Sequence, residues 1–468
     1  MSDLVLSRLQ GDRGAIIERL RTLVSAPSVS TDPAYADGMA RARAILRERL
    51  AAAGFDGVRE IDAGGHPAVY AEWLGAPQAP TFIVYGHYDV QPPDPLNLWQ
   101  SEPFAPEIRD ERLYGRGVSD DKGPVSIAIE TLSAFLAVEG KLPVNVRLLI
   151  EGEEEIGSAT LGDILERHRD LFQADAVISA DGARWRADLA SINVGSRGSL
   201  RCEIALRTAS KDLHSGRFGG AVRNALHEMA ALLASLHHAD GRIAVEGFAD
   251  DATPRGAEER ERIAETPFDE AAFFAGIGAD SHGEPGFTAL ERLWYRPTVE
   301  VNGMWGGYQG KGSKTVTPCE AFAKITTRLG PGQDPARAVR LLEDHLRGHC
   351  PAGVELTLDM RDSGTAAYSV PADHPLLLTA EAALETALAQ PPVRVRMGGT
   401  LPLSDIVRDA LGLDTVTMSF STADEDFHAP NEFFRLSAID DGVVAWVDFI
   451  RRLGNQTPDL YAPYKAST

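Results

Sequence analysis

Histidine and carboxylate residues follow five apolar segments of the sequence. The first is TFIVYGHYD at 81–89, in which His87 and Asp89 come directly after a strand-like apolar run. Residues two apart in an extended chain face the same side, so these side chains can touch or converge on a shared atom. The other four segments are GRGVSDDKGP with Asp120 and Asp121, VNVRLLIEGEEEIGS with Glu151, Glu153, Glu154 and Glu155, ADAVISADGA with Asp181, and MSFSTADEDFHAPNE with Asp424, Glu425, Asp426 and His428.

Gathered in one cleft, these residues would need compensating positive charge. Several carboxylates that lie close together cannot all remain ionised without it, and the five segments contain no cluster of lysine or arginine. Two histidines with three or four carboxylates, and no cysteine, are typical of a two-metal hydrolytic site for zinc or manganese. Taken singly, each segment also fits a structural role, such as a strand-end histidine, a solvated acidic loop or an N-cap aspartate. Their joint occurrence favours the metal site.

The elements that carry these residues alternate between strand and helix patterns. The predicted helices are 3–24, 36–53, 124–138 and 158–171, and the predicted strands are 81–85, 144–150 and 175–179. This alternation predicts an α/β fold with a mainly parallel sheet sandwiched by helices. Functional residues in such sheets lie just beyond the carboxyl ends of the strands.

From residue 197 onward the pattern changes to two-faced strands with fewer helices. The predicted strands are SLRCEIALRT, PTVEVNGM and AFAKITTRL, the predicted helices are 220–238 and 334–347, and 241–296 has no strong pattern. The α/β pattern resumes near residue 375 and ends in an amphipathic helix around 437–452. We therefore predict a discontinuous α/β domain at 1–196 and 366–468, with a smaller α+β domain inserted at 197–365.

Composition excludes several other classes of function. The 468 residues carry a formal charge of −22, which disfavours nucleic-acid and anionic membrane partners. The three cysteines are few, unclustered and odd in number, which argues against disulfides and thiolate zinc sites. The sequence has no signal-peptide pattern and no apolar run near the ~20 residues of a membrane span. We expect a cytoplasmic protein.

Five motifs, in their order and spacing, resemble the M20 family of dinuclear-metal peptidases. They are GHYDVQPP, GRGVSDDKGP, EGEEEIGS, ISADG and FHAPNE. Within this family the sequence is similar to the branch of cytosolic non-specific dipeptidases and carnosinases. The resemblance extends from LVSAPSVS at 23–30 to HAPNE at 428–432, which is nearly the whole chain.

The resemblance implies a role for each residue of the cluster. The implied metal ligands are His87 and Asp181 on one ion, Glu155 and His428 on the other, and Asp120 bridging both. Glu154 matches the general acid/base of the family, and Asp89 matches the group that orients the ring of His87. The family also has a cis peptide bond after its bridging aspartate, here Asp120–Asp121.

The inserted domain resembles the lid and dimerisation domain of the family. His214 in DLHSG matches a histidine that reaches the active site of the partner subunit and polarises the scissile carbonyl. Thr315 and Arg328 match residues that contact the end and the carboxylate of the substrate. The backbone N–H groups of Gly399 and Thr400 could hold the same carboxylate. A homodimer with active sites completed across subunits is therefore expected.

The expected activity is hydrolysis of dipeptides or short peptides with a free C-terminal carboxylate. The resemblance implies two divalent ions per subunit, zinc first and manganese as the alternative, a bridging hydroxide and Glu154 as general base. One alternative within the family is an N-acyl amino acid deacylase or a carboxypeptidase, which pocket shape would decide. A non-catalytic peptide-binding protein on the same scaffold is a further alternative, but it predicts a missing ligand or base, and every expected position is filled.

Overall fold

The chain divides into two compact units in the computed structural model, which describes residues 3–252, 256–360 and 364–465, apart from the side chain of residue 258. The first unit comprises Met1–Val194, Val370–Val395 and Pro402–Thr468, and the second comprises Gly195–Ser369 and Arg396–Leu401. Segment 396–401 thus lies in the inserted unit, whereas the sequence prediction put it in the α/β domain. Gly399 and Thr400 therefore belong to the same unit as Arg328.

The helices and strands of the described residues are numbered separately in chain order. The α-helices are α1 Leu4–Gly11, α2 Arg13–Val24, α3 Ala36–Ala53, α4 Gly123–Glu139, α5 Leu161–Arg167, α6 Ser215–Phe218, α7 Ala225–Ala234, α8 Ala257–Glu265, α9 Glu270–Gly276, α10 Ala289–Trp294, α11 Pro335–His349, α12 Pro375–Leu388, α13 Pro402–Leu411 and α14 Leu436–Leu453. The strands are β1 Asp56–Ile61, β2 Ala68–Trp73, β3 Thr81–His87, β4 Glu107–Arg109, β5 Arg112–Tyr114, β6 Asn145–Glu151, β7 Ala176–Ser179, β8 Ser191–Ser196, β9 Gly198–Arg207, β10 Leu213–His214, β11 Thr298–Gly306, β12 Val316–Thr317, β13 Glu320–Leu329, β14 Glu355–Asp359, β15 Val393–Met397, β16 Thr415–Thr417 and β17 Phe433–Arg435.

A six-stranded sheet in the order β1-β2-β6-β3-β7-β16 forms the centre of the first unit. Strands β6, β3, β7 and β16 run parallel, and β1 and β2 are antiparallel to their neighbours. Strand β3 is buried from Phe82 onward because both faces of the sheet are covered. Helices α5 and α13 pack on one face, and α4, which also contacts α14, packs against β3. The predicted mainly parallel α/β fold is confirmed.

Several predicted helices have different boundaries in the structure. The predicted helix 3–24 is two helices, because Asp12 ends α1 and begins α2 with a non-helical backbone. The predicted helix 158–171 is α5 followed by a short 3₁₀ turn, Arg169–Phe172. The predicted helix 220–238 starts only at Ala225, because the Asn224 side chain caps it by accepting a hydrogen bond from the Leu226 amide.

A four-stranded antiparallel sheet, ordered β11-β13-β9-β14, forms the centre of the second unit. Strand β9 alternates buried and more exposed residues, and its buried face packs with α7 and α11. A separate two-stranded ribbon joins β10 and β12. Segment 241–296, which showed no strong sequence pattern, contains the short helices α8, α9 and α10. The second unit is therefore a smaller α+β unit, as predicted.

Candidate metal centre

The predicted site residues of the first unit follow strands that end at one edge of the central sheet. Strand β3 ends with His87, which is in register with Glu151 of the neighbouring strand β6. Glu154 and Glu155 lie in a short 3₁₀ turn after β6, and Asp181 lies just beyond β7. Because these three strands are parallel neighbours, their carboxyl ends bring the side chains together.

Asp120 and His428 reach the same edge from two connecting segments. Asp120 lies in the turn Val118–Lys122 that leads into α4, and His428 lies in the loop after β16. The Asp120–Asp121 peptide bond is cis, as the resemblance implied. The Asp121 carboxylate accepts a hydrogen bond from the His87 amide at 3.2 Å.

Asp120 joins two groups of potential ligands. Its Oδ1 lies 3.0 Å from Nε2 of His87, which is 4.0 Å from Oδ1 of Asp181. Its Oδ2 lies 3.1 Å from Nε2 of His428, which is 3.2 Å from Oε2 of Glu155. Within each group of three, one ligand atom per residue lies within 4.8 Å of the others. The structure thus brings together all five predicted metal-ligating side chains.

The shifted pKa values of the cluster indicate that its carboxylates need positive charge nearby. Burial of the His87 ring is the largest influence and lowers its pKa, but the carboxylates of Asp120 and Asp89 together raise that pKa well above its ordinary value. Hydrogen bonds with Asp120 and Glu155 raise the pKa of His428 to about 10. Burial raises the pKa of Asp181 to about 7. Protons on the imidazoles or bound cations can supply the missing charge.

The donor set fits a pair of divalent cations. Each group offers one imidazole nitrogen and two carboxylates, which zinc and manganese both accept. The two oxygens of Asp120 face different groups, as a bridging carboxylate requires. Neither group includes a cysteine, and the three free cysteines belong to the second unit.

The ring of His87 is held by Asp89, although chiefly through its main chain. Nδ1 of His87 lies 3.0 Å from the main-chain oxygen of Asp89 and 3.4 Å from its carboxylate Oδ1. Asp89 therefore contacts the ring through both its main chain and its carboxylate, and the orienting role that the resemblance implies for it stays a prediction. Oδ2 of Asp89 accepts a hydrogen bond from the Glu155 amide at 3.1 Å, so Asp89 contacts both ligand-bearing segments.

The four glutamates of the EGEEE motif have different surroundings. Glu151 accepts hydrogen bonds from the Tyr85 and Ser158 hydroxyls, and Glu153 accepts three from His66 and Thr160. Glu154 instead lies among the charges of the cluster, and burial raises the pKa of its carboxyl well above the ordinary value. Among the described residues, no side chain donates a hydrogen bond to that carboxyl.

Two residues of the quoted motifs contact the predicted metal ligands, although no role was predicted for them. The amide of Gln91, from GHYDVQPP, donates to the main-chain oxygen of Glu155 at 3.2 Å and to its Oε2 at 2.9 Å. The carboxylate of Glu432, from FHAPNE, accepts a hydrogen bond from the Asp120 amide at 3.1 Å. Their place inside the motifs was the available signal, but neither spacing nor periodicity indicates such contacts.

The predicted substrate-binding residues of the second unit form two pairs. Arg328 donates a hydrogen bond to Oγ1 of Thr400 at 2.8 Å, next to Gly399. His214 is exposed on β10, which pairs with β12, and the carbonyl of Thr315 accepts a hydrogen bond from the Ser215 amide at 3.2 Å. Arg328 is therefore hydrogen-bonded to Thr400, and His214 lies close to Thr315 because the residue after it bonds to the Thr315 carbonyl.

Known proteins resemble this chain over most of its length. Human Beta-Ala-His dipeptidase is 30% identical over 376 residues, which are 78% of this chain and 73% of that relative. Cys-Gly metallodipeptidase DUG1 of Saccharomyces cerevisiae is 26% identical over 92% of this chain and 94% of its own. The solved structure of the M20 family metallo-carboxypeptidase Sso-CP2 from Sulfolobus solfataricus has a TM-score of 0.80 and 30% identity, covering 94% of this chain and 99% of that one.

In the part of the chain that the structure describes, every helix is too short or too polar to span a bilayer. The model of the family described as Peptidase family M20/M25/M40 matches residues 83–452, a range that holds the shared aspartate and the four residues grouped around it. On the strength of that match, this chain is a member of Peptidase family M20/M25/M40.

Proposed function

We propose that this protein is a dinuclear metal-dependent dipeptidase acting on dipeptides or short peptides with a free C-terminal carboxylate. The observation that carries the proposal is the shared aspartate: Asp120 contacts His87 through one oxygen and His428 through the other. Such an arrangement matches two cations held a few ångströms apart, which is the usual design of two-metal hydrolytic sites.

Five side chains would hold the two cations. His87 and Asp181 would bind one ion, Glu155 and His428 the other, and Asp120 both. The ions, when bound, would supply Lewis acidity that lowers the pKa of a shared water and polarises the peptide carbonyl. Zinc is the first candidate and manganese the second, because imidazole and carboxylate ligands accept both.

Glu154 would transfer the protons of the reaction. Glu154 is next in sequence to the proposed ligand Glu155. Hydrogen bonds fix the carboxylates of Glu151 and Glu153, but no described side chain donates one to the carboxylate of Glu154. It would take a proton from the attacking water and deliver it to the departing amine nitrogen. Asp89 would keep the His87 ring in the tautomer that presents Nε2 to the cluster.

The second unit would bind the substrate and provide the dimer contact. Arg328, with the loop of Gly399 and Thr400, would hold the substrate carboxylate, while Thr315 would contact the end of the substrate. His214 would act in the active site of the partner subunit, where its ring would stabilise the developing oxyanion. Exposure of His214 in the single chain is compatible with this role.

Relatives support the substrate class and leave one alternative open. The names Beta-Ala-His dipeptidase and Cys-Gly metallodipeptidase refer to dipeptide substrates with a free carboxylate. The similarity to the metallo-carboxypeptidase Sso-CP2 favours, as a second candidate, a carboxypeptidase of the same chemistry. An N-acyl amino acid deacylase would use the same centre with a different pocket. The three free cysteines are consistent with a reducing, cytoplasmic location.

A substrate panel on metal-reconstituted protein tests the proposal. Metal-free protein would be loaded with zinc or manganese separately and given Cys-Gly, β-Ala-His, their C-terminal amides, longer peptides and N-acetyl amino acids. We expect hydrolysis of the free dipeptides, little turnover of the amides and none without metal. Preferential turnover of N-acetyl amino acids would indicate the deacylase instead. Stepwise shortening of longer peptides from the C-terminus would indicate the carboxypeptidase.

A further inference from the structure

A single buried carboxylate lies at the base of the turn that carries Asp120. Glu432 is 0% exposed and follows His428 by four residues. Its Oε1 accepts hydrogen bonds from the amides of Ser119 at 2.9 Å and Asp120 at 3.1 Å. Its Oε2 accepts one from the Gly117 amide at 2.7 Å. Three main-chain donors of one turn therefore converge on this side chain.

Arg116 balances the charge of this carboxylate. Its Nη1 donates to Oε2 of Glu432 at 2.7 Å, and the arginine side chain is only 1% exposed. Its Nη2 donates to the main-chain oxygen of Ala429 at 3.2 Å, the residue after His428. Because the ion pair is buried and well hydrogen-bonded, removal of either partner would leave an uncompensated charge. The His428 loop and the Asp120 turn are therefore linked at two points, by Glu432 at the Asp120 amide and by Arg116 at the Ala429 carbonyl.

The shape of the turn depends on this acceptor. Gly117 has a φ of +77°, and a Cβ there would come within 2.1 Å of Cγ1 of Val90, so only glycine fits at this position of the turn. Gly117 and Ser119 are buried and Asp120 is half-buried, so their amides need an acceptor within the protein. Successive N–H groups that converge in this way form a concave site for an anion. In this chain the anion is the carboxylate of Glu432.

We infer that Glu432 is a positioning residue for the metal centre, setting the place of Asp120 relative to His428. The inference rests on the proposed function, because it assigns Glu432 to the support of ligands that would hold the cations. Glu432 would not touch the ions or the substrate. It acts on Asp120 by accepting a hydrogen bond from its amide, and on the His428 loop because Glu432 belongs to the segment that follows His428. Removal of such supporting partners typically weakens metal affinity by about 10–100-fold.

Glu432→Gln tests the inference with little change in volume. The variant retains one acceptor oxygen, but its NH₂ group would face at least one donor, the Gly117 amide or the Arg116 guanidinium. The matched control is Glu130→Gln, which breaks a buried carboxylate–arginine cluster with Arg19 and Arg49 elsewhere in the same unit. Metal-free proteins would be titrated with Mn²⁺, and free and bound ion would be counted by electron paramagnetic resonance.

The expected result separates support of the ligands from general stability. Both variants should unfold at lower denaturant concentration than the wild type. Only Glu432→Gln should bind Mn²⁺ about 10–100-fold more weakly and lose the exchange-coupled signal of a bridged pair of ions. If Glu432→Gln does not fold, Glu432→Asp is the second variant, because it keeps the charge and shortens the side chain. It should fold better and should weaken Mn²⁺ binding to the same extent.

One outcome would contradict the proposed function, and two others would contradict only the role of Glu432. Wild-type protein that binds no pair of Mn²⁺ ions contradicts the proposed function itself. Wild-type protein that binds a coupled pair, with folded Glu432→Gln or Glu432→Asp binding it equally tightly, contradicts only the inference about Glu432. Equal weakening in Glu130→Gln would also overturn it, since the effect would then follow from lost stability alone.

Discussion

The four glutamates of the EGEEE motif, at the end of strand β6 and just beyond it, have the same side chain but different surroundings. Glu151 and Glu153 are fixed by hydroxyl and amide donors, which makes them structural acceptors. Glu155 contacts His428, and Glu154 lies beside the cluster with a raised pKa. A carboxyl with a raised pKa is better matched to proton transfer near neutral pH than an ordinary one. Burial also raises the pKa of Glu151 to about 7, so the position of Glu154 among the charges of the cluster, and not its raised pKa alone, distinguishes the proposed base.

Replacement of Glu154 by glutamine should separate catalysis from metal binding. The amide cannot accept a proton, so turnover of a dipeptide should fall by about 10²–10⁴-fold or more, while the protein still binds two ions. Metal content by elemental analysis and single-turnover rates would check both. Glu153→Gln is the control: it should lower stability by about 1–3 kcal/mol through lost buried hydrogen bonds, with the rate per folded molecule little changed. Near-normal turnover of metal-loaded Glu154→Gln would remove Glu154 from the mechanism.

Metal affinity should depend on pH through the two imidazoles. Without metal, Asp120 and Glu155 raise the pKa of His428 to about 10, so at neutral pH the ring holds a proton that a cation must displace. Apparent affinity should therefore increase as pH rises from 6 to 8, about tenfold per pH unit for each proton displaced.

Calorimetry in buffers of different ionisation enthalpy would count the protons that metal binding releases. Replacement of His428 by alanine should reduce that number, whereas replacement of the exposed His282 of the second unit should not. An affinity that stays constant over this pH range would contradict protonation of the metal-free imidazoles.

At the scale of elements, the end of β3 and the start of α4 pack too closely to admit a side chain at Gly86. A Cβ there would lie 2.7 Å from Oδ2 of Asp121 and 2.7 Å from Cγ2 of Val125. Asp121 follows Asp120, and its carboxylate accepts a hydrogen bond from the His87 amide. The strand end and the turn that carry these two proposed metal ligands are therefore in direct contact.

Gly86→Ala should accordingly affect stability and metal binding together. Overpacking of this kind typically costs about 1–3 kcal/mol, and here it would push the Asp120 turn away from His87. Denaturant unfolding of metal-free protein and Mn²⁺ titration would measure the two effects. Gly14→Ala on α2 is the control, since a Cβ there meets nothing within 4 Å, and it should stabilise the helix by up to about 1 kcal/mol. Equal stability of the two variants would contradict the tight contact.

The sequence predicted the elements whose patterns are local. Strands β3, β6 and β7 and helix α4 agree with the alternating apolar segments to within two residues, because each is a buried element with a clear period. The break at Asp12 and the late start of α7 depend on single capping residues, which periodicity does not register. The gathering of ligands at one edge followed from the parallel arrangement of the strands.

Contacts between distant segments were beyond the sequence analysis. The Asp120 turn and Glu432 are separated by more than 300 residues, and the acceptor of the His87 ring is chiefly a main-chain oxygen that no side-chain pattern indicates. The grouping of segment 396–401 with the second unit likewise depends on Arg197, whose amide and side chain bond to the carbonyls of Gly399 and Gly398. Such interactions are specified by tertiary packing.

At the scale of the whole molecule, the second unit has a surface suited to a second copy of the chain. Strand β11 is an edge strand of its sheet and exposes Val301, Met304 and Trp305, which are 44%, 48% and 39% accessible. Exposed apolar residues on an unpaired edge favour association with another chain. This surface supports the proposed homodimer, in which His214 of one subunit would serve the active site of its partner.

Mixing two inactive variants tests that arrangement. A His214→Ala subunit retains Glu154, and a Glu154→Gln subunit retains His214, so a mixed dimer would contain one complete active site if His214 acts across the interface. Random mixing makes half of the dimers mixed, and each has one complete site of two, which gives about a quarter of wild-type activity. If His214 acted within its own subunit, neither site of the mixed dimer would be complete. The two variants would be unfolded together and refolded, and their activity would be compared with that of each variant refolded alone. If the mixture sediments as dimers but stays inactive, His214 does not act across subunits.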